Sequence, residues 1–175
     1  SRIERVEERM RELLDRHRET SKRVVEEIRK STEEHKEKSE RVVRESERLN
    51  REVERELVKD KDILRELKKR SKELNDELRK LSKDNEERNR ELIRRLEELS
   101  KRVEDTIREV IKLLRAGKDV DRVLEEVERL VTEVNREIKE LLERSKRSDK
   151  EADRRLEEVV KTNRELAERV ARRAT

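Results

Sequence analysis

Two histidines, His17 and His35, are the residues of this sequence best suited to chemistry. An imidazole can move a proton, bind a metal or change charge near neutral pH. The two lie 18 residues apart, about 27 Å along one helix, so a single chain cannot bring both to one ion. There is no Cys, and no second His stands four residues from either one, so the usual metal-ligand pairs are missing. Ser and His could serve as nucleophile and base, but catalysis needs them in a pocket with acids placed around them. Here the Asp and Glu residues read as an outer face. The sequence therefore predicts no catalytic, cofactor or metal site and no small-molecule ligand.

A structural role fits these residues better. Residues 31–39 read Ser-Thr-Glu-Glu-His-Lys-Glu-Lys-Ser, with no apolar side chain between Ile28 and Val42. At the inward positions of the helix stand Ser31 or Thr32, His35 and Ser39, where Leu or Val would be expected.

The elements that must hold these residues are legible. Charged residues make up 57% of the 175-residue chain, hydrophobic residues 29%, and there is one Gly, no Pro and no aromatic. Such a composition can mean disorder, but the apolar residues recur every three or four positions, which reads as long helices. Ser1 and Glu4 fit a capping box. From Ile3 a seam runs through Val6, Met10, Leu13, His17, Ser21, Val24 and Ile28, and on through the polar stretch to Leu57. On its outer face Glu12–Arg16, Glu19–Arg23, Glu26–Lys30, Glu37–Arg41 and Glu47–Arg51 stand four apart, a spacing that supports helicity. Lys59-Asp60-Lys61-Asp62 interrupts the pattern, and Asp60 or Asp62 can cap a second helix. Ala116-Gly117-Lys118-Asp119 is the clearest punctuation: Gly117 can end a helix left-handed and Asp119 can cap the next.

The expected fold is all-α. It is an antiparallel up-down-up three-helix bundle of long, coiled-coil-like helices over about 1–58, 62–115 and 119–174, forming one elongated domain over 1–175. Ser31 with Glu34, Asp84 with Glu87 and Ser148 with Glu151 also resemble capping boxes, and would give shorter helices. The seam passes all three points without a slip, and no Gly or Pro marks them.

Antiparallel arithmetic about the two turns sets position x of the first helix against about 120 − x of the second, and position y of the second against about 235 − y of the third. Polar residues then fall at three shared heights. One layer gathers His17, Ser21, Ser100, Thr106 and Asn135. A second gathers Ser31, His35, Ser39, Ser82, Asn85, Asn89, Ser145 and Ser148. A third gathers Ser46, Asn50, Ser71, Asn75 and Asn163. A buried polar group without a partner costs about 1–3 kcal/mol. Matched layers recover that only in the correct register, so they penalise wrong pairings. Protonating His17 or His35 would turn an acceptor nitrogen into a donor inside such a layer, so the sequence also admits a pH-responsive bundle.

The 52 basic and 48 acidic residues are interleaved. A nucleic-acid binder would gather its basic residues on one face and add stacking aromatics, so no nucleic-acid partner is expected. No apolar run exceeds two residues, so no membrane span or signal-peptide core is expected, and the chain reads as soluble, cytoplasmic when expressed recombinantly.

The whole sequence resembles computationally designed helical bundles with buried hydrogen-bond networks. The resemblance rests on near-ideal spacing, matched helix lengths, outer faces of Glu, Lys and Arg, and Ser, Thr, Asn and His at matching heights. It implies a scaffold or assembly component without a natural ligand or activity. Two functions are open. One is a self-contained structural bundle. The other is an interaction module that accepts a partner helix or another copy. Adjacent apolar pairs such as Val42-Val43, Leu92-Ile93 and Val159-Val160 widen the seam toward three positions in seven, which favours further helix contact.

Overall fold

A computed structural model describes residues 1–57 and 61–174. Three helices account for nearly all of them: α1, Arg2–Leu57; α2, Lys61–Arg115; and α3, Asp121–Ala174. The chain is an all-α three-helix bundle. The helices run unbroken through residues 31, 84 and 148, so the three internal capping patterns start no helix. Good helix formers hold these stretches together, because Glu, Lys, Arg and Leu lose little side-chain freedom in a helix.

The ends follow local chemistry. The Ser1 hydroxyl accepts from the Glu4 backbone N–H at 3.3 Å, and the Ser1 carbonyl accepts from Arg5 N–H at 3.2 Å. At the end of α2, Gly117 has φ of 72°. Lys118 N–H donates to the Leu113 carbonyl at 3.1 Å, and Gly117 N–H to that of Leu114 at 3.0 Å. This pair of bonds satisfies carbonyls that the helix end would otherwise strand, and it requires the left-handed conformation that glycine takes without strain. The Asp119 carboxylate accepts from Asp121 N–H at 3.2 Å and opens α3. Asp62 lies in the first turn of α2. The proposed cap at Asp60 lies outside the described residues.

Where the sequence reads as one domain, the packing divides the chain into two compact units. Unit 1 comprises Ser1–Lys30 and Asn89–Lys146, and unit 2 comprises Ser31–Arg88 and Arg147–Thr175. Each takes a segment of all three helices.

In unit 1, one cluster of buried apolar side chains runs from Met10 and Ile28 on α1 through Leu96, Val103 and Ile107 on α2 to Val127, Ile138 and Leu141 on α3. The inner positions shift slightly from the expected seam. Leu14, Ile107, Leu114 and Val131 are the buried members, whereas Leu13, Leu113 and Leu130 pack at the margin. In unit 2 the apolar core is in two pieces. Val43, Leu74, Leu78, Leu156 and Val159 form one. Val53, Leu67 and Ala167 form the other.

The outer face is held differently from the expectation. None of the five Glu-to-basic pairs named above closes among the described residues. Several arginines reach across to a neighbouring helix instead: Arg18 to Glu104 at 2.7 Å, Arg115 to Glu7 at 2.8 Å and Arg95 to Glu137 at 3.1 Å in unit 1, and Arg155 to Glu77 at 2.8 Å in unit 2. These are exposed pairs, each worth about 0–1 kcal/mol.

Candidate functional site

The parallel pair α1 and α3 keeps one register in both units. His17 bonds Asn135, Ser31 bonds Asp149 and His35 bonds Asp153, and every pair is separated by 118 residues. A constant offset is what two straight helices of equal rise must show when packed side by side. The estimate from the two turns gave 115. The difference of three residues, nearly one helical turn, decides which side chain meets each histidine.

In unit 1, His17 is fully buried. Its Nδ1 lies 3.1 Å from the Asn135 amide oxygen, which can only accept, so Nδ1–H donates. Nε2 then accepts in the neutral ring. Ser100 Oγ lies 3.2 Å from it and Ser21 Oγ 3.3 Å, and the two hydroxyls are 2.8 Å apart. One hydroxyl donates to the ring and the other to its neighbour, so both ring nitrogens are used. Thr106 stands apart from this set. It is half-buried, and its hydroxyl donates to the Arg102 carbonyl of its own helix at 2.7 Å, leaving the inward position to Ile107. Also in unit 1, Ser145 donates to the Asn89 amide oxygen at 3.0 Å, with both residues buried.

In unit 2, the set from Ser46 to Asn163 forms a directed chain. Asn75 Nδ2 donates to Ser46 Oγ at 3.4 Å, Ser46 to Ser71 at 2.9 Å, and Ser71 to the Asn163 amide oxygen at 3.5 Å. Asn50 Nδ2 adds a second donation to Ser71 at 2.7 Å. The direction follows from the ends: the Asn163 oxygen accepts only, so the Ser71 proton goes there and Ser46 must supply Ser71. The Asn75 oxygen at one end and the Asn163 nitrogen at the other are buried without partners.

A geometric motif repeats between these two sets. Ser100 on α2 sits between His17 and Ser21 on α1, and Ser71 sits between Ser46 and Asn50. In each case two α1 residues four apart bracket one α2 hydroxyl.

Also in unit 2, His35 and Ser39 have the same spacing, and Ser82 stands at the corresponding α2 position. The bonds, however, do not form. Ser39 Oγ and His35 Nε2 are buried without partners, and Ser82 is half-buried. His35 Nδ1–H donates instead to Asp153 Oδ1 at 2.9 Å. Ser31 donates to the Asp149 carboxylate, and Ser148 to the Asn85 amide oxygen at 2.9 Å.

Asp149 and Asp153 belong to none of the three expected layers. Both are aspartates, a type that the pattern assigns to the outer face, and each lies one position beyond the seam at Ser148 and Ala152. The signal that finds them is the offset: adding 118 to Ser31 and His35 lands on both. The arrangement holds hydroxyls, amides, imidazoles and two carboxylates in small bonded sets. Among the described residues no group of three or more His, Cys, Asp or Glu could hold a metal ion, and no helix is long and apolar enough to cross a membrane.

The Arg115 guanidinium donates to Glu7, and with Arg11 it holds the Glu7 carboxyl below the usual glutamate range. Asp121 raises Arg2, and Glu151 raises Arg154.

Comparison with protein-family models, curated proteins and solved structures finds no match for this chain.

Proposed function

We propose that this chain is a computationally designed helical bundle, a structural scaffold whose buried polar sets fix helix register. No catalytic activity and no natural ligand belong to this reading. The observation that carries it is the repeated bracket: Ser100 between His17 and Ser21, and Ser71 between Ser46 and Asn50. A one-residue slip of α2 would rotate either Ser by about 100° away from its partners and strand several polar groups at about 1–3 kcal/mol each. An all-Leu seam would impose no such penalty, so these layers select a single arrangement at some cost in stability. The lack of any matching family supports the same reading.

The test converts the Ser46 set to apolar side chains: Ser46→Ala, Asn50→Leu, Ser71→Ala, Asn75→Leu and Asn163→Leu together. The expected protein melts at a higher temperature but gives more than one set of amide NMR signals, or a changed mass in solution. A variant that is less stable and still gives one set of signals overturns the reading.

An interaction module is the second reading. It is favoured by half-buried Val42, Val160, Leu166 and Val170, which pack at the margins of the unit 2 core. A pH-responsive form of that module would act through His17 and His35. Helicity and mass that stay constant from about pH 7 to about pH 4 would reject it.

A further inference from the structure

In unit 2, α1 and α3 run side by side with a groove of about 300 Å³ between them. Its apolar lining recurs at one height on each helix: Val42 and Leu49 on α1 match Val160 and Ala167 on α3, again 118 apart. Midway stand Ser46 and Asn163. Asn163 is buried at 7% exposure, and its amide nitrogen has no partner. Half-buried aliphatic side chains gathered along one groove are natural where another surface seats.

The rim indicates which surface that is. Along α1 the rim charges read acid then base, Glu45 then Arg48. Along α3, which is parallel, they read base then acid, Arg164 then Glu168. Glu45, Arg48 and Arg164 form no ion pair among the described residues. This order is self-complementary. A copy laid on the groove by a two-fold axis across the helices sets Glu45 against Arg48 of the other copy, and Arg164 against Glu168. A copy related by an axis along the helices sets Glu45 against Arg164, and Arg48 against Glu168. Either two-fold pairs every rim charge with its opposite, and either covers the half-buried Val42, Leu49 and Val160 of both copies.

We infer that the α1–α3 groove of unit 2 seats a second copy of this chain, forming a two-fold dimer whose rim charges pair across the groove. The inference stands apart from the scaffold reading, which would survive its failure.

The test is sedimentation equilibrium of the full chain over a wide concentration range. The expected mass rises to twice 21.4 kDa. Arg48→Glu places like charges together twice in the dimer, so the dissociation constant should rise about tenfold or more, with helicity unchanged because Arg48 is exposed. Recovery on adding Glu45→Arg supports the dimer with its axis across the helices. Recovery on adding Glu168→Arg supports the one with its axis along them. Leu49→Asp, at the groove lining, should abolish association in either case. A monomer at every concentration overturns the inference. So does a dimer indifferent to Arg48→Glu and Leu49→Asp, or a loss that neither second reversal recovers.

Discussion

In unit 1, sixteen buried apolar residues form one cluster, and His17 uses both of its ring nitrogens. In unit 2, the buried apolar residues form clusters of five and three, and His35 uses only one. The same three helices supply both units, so the contrast lies in what each seam buries. Burying a Leu, Ile or Val contributes about 1.5–3 kcal/mol. A polar group buried without a partner subtracts about 1–3 kcal/mol. Unit 2 has fewer of the first, and it holds all five unpartnered polar atoms found among the described residues: His35 Nε2, Ser39 Oγ, Asn75 Oδ1, Asn85 Nδ2 and Asn163 Nδ2. Unit 1 joins a larger apolar cluster to polar sets without an unpartnered buried atom among the described residues, whereas unit 2 buries less apolar surface and leaves its polar sets partly unpaired.

The sharpest way to break this contrast is to truncate both cores and watch where the chain opens. Ile138→Ala in unit 1 and Leu78→Ala in unit 2 each remove a side chain with no exposure, and each should cost about 2–5 kcal/mol. In the unaltered protein, native-state hydrogen exchange should be slowest near Val103, Ile107 and Ile138. After Leu78→Ala, amides of unit 2 should exchange faster while those of unit 1 keep most of their protection. Equal protection across the two units before mutation would mean that the polar seam costs unit 2 nothing.

A smaller pair of changes should differ in sign. Ser100→Ala removes the α2 hydroxyl of this set and leaves His17 Nε2 only the longer bond from Ser21 at 3.3 Å, with no bond from α2. It should destabilise by about 1–3 kcal/mol. Ser39→Ala removes a buried hydroxyl that has no partner, so it should stabilise by about 1 kcal/mol. Urea titration of both variants measures this directly, since a change in midpoint at constant slope is a change in stability. Destabilisation by Ser39→Ala would show that the hydroxyl is satisfied in solution and that unit 2 is more complete than its bonds suggest.

The fold was largely legible because it depends on period and punctuation. The 3–4 seam marks three helices, Gly117 marks one turn by its need for a left-handed residue, and the seam passes 31, 84 and 148 without a slip. Much of the polar pairing was legible too: Ser100 with His17, Ser71 with Ser46, and Ser148 with Asn85 all follow from antiparallel arithmetic. Register at the level of one turn was not. Each tight turn consumes a number of residues that depends on its capping geometry, and two turns add their errors. A shift from 115 to 118 moves the partner of His35 from Lys150 to Asp153. The buried Asp149 and half-buried Asp153 escape the pattern for a related reason, since charge marks a residue as external only until a hydroxyl or imidazole across the seam offers it a bond.

The smallest effect concerns the surface of unit 1, where Glu7 sits between Arg115 and Arg11 at 2.8 and 3.0 Å. The bond from Arg115 and the two positive charges hold its carboxyl below the ordinary value of 4.5 in the folded chain. A carboxyl whose value is lowered on folding binds its proton more tightly in the unfolded chain. It therefore adds stability above the unfolded value, and loses that contribution as pH falls through the lower folded one. Glu7→Gln should accordingly melt slightly below the parent at neutral pH, with the gap closing as the solution is acidified below 4.5. Added salt should narrow the gap as well, since exposed charges are screened. A gap that stays constant through this acid range would assign the effect to side-chain packing against Arg115, and would remove charge from the account of how this end of unit 1 is held.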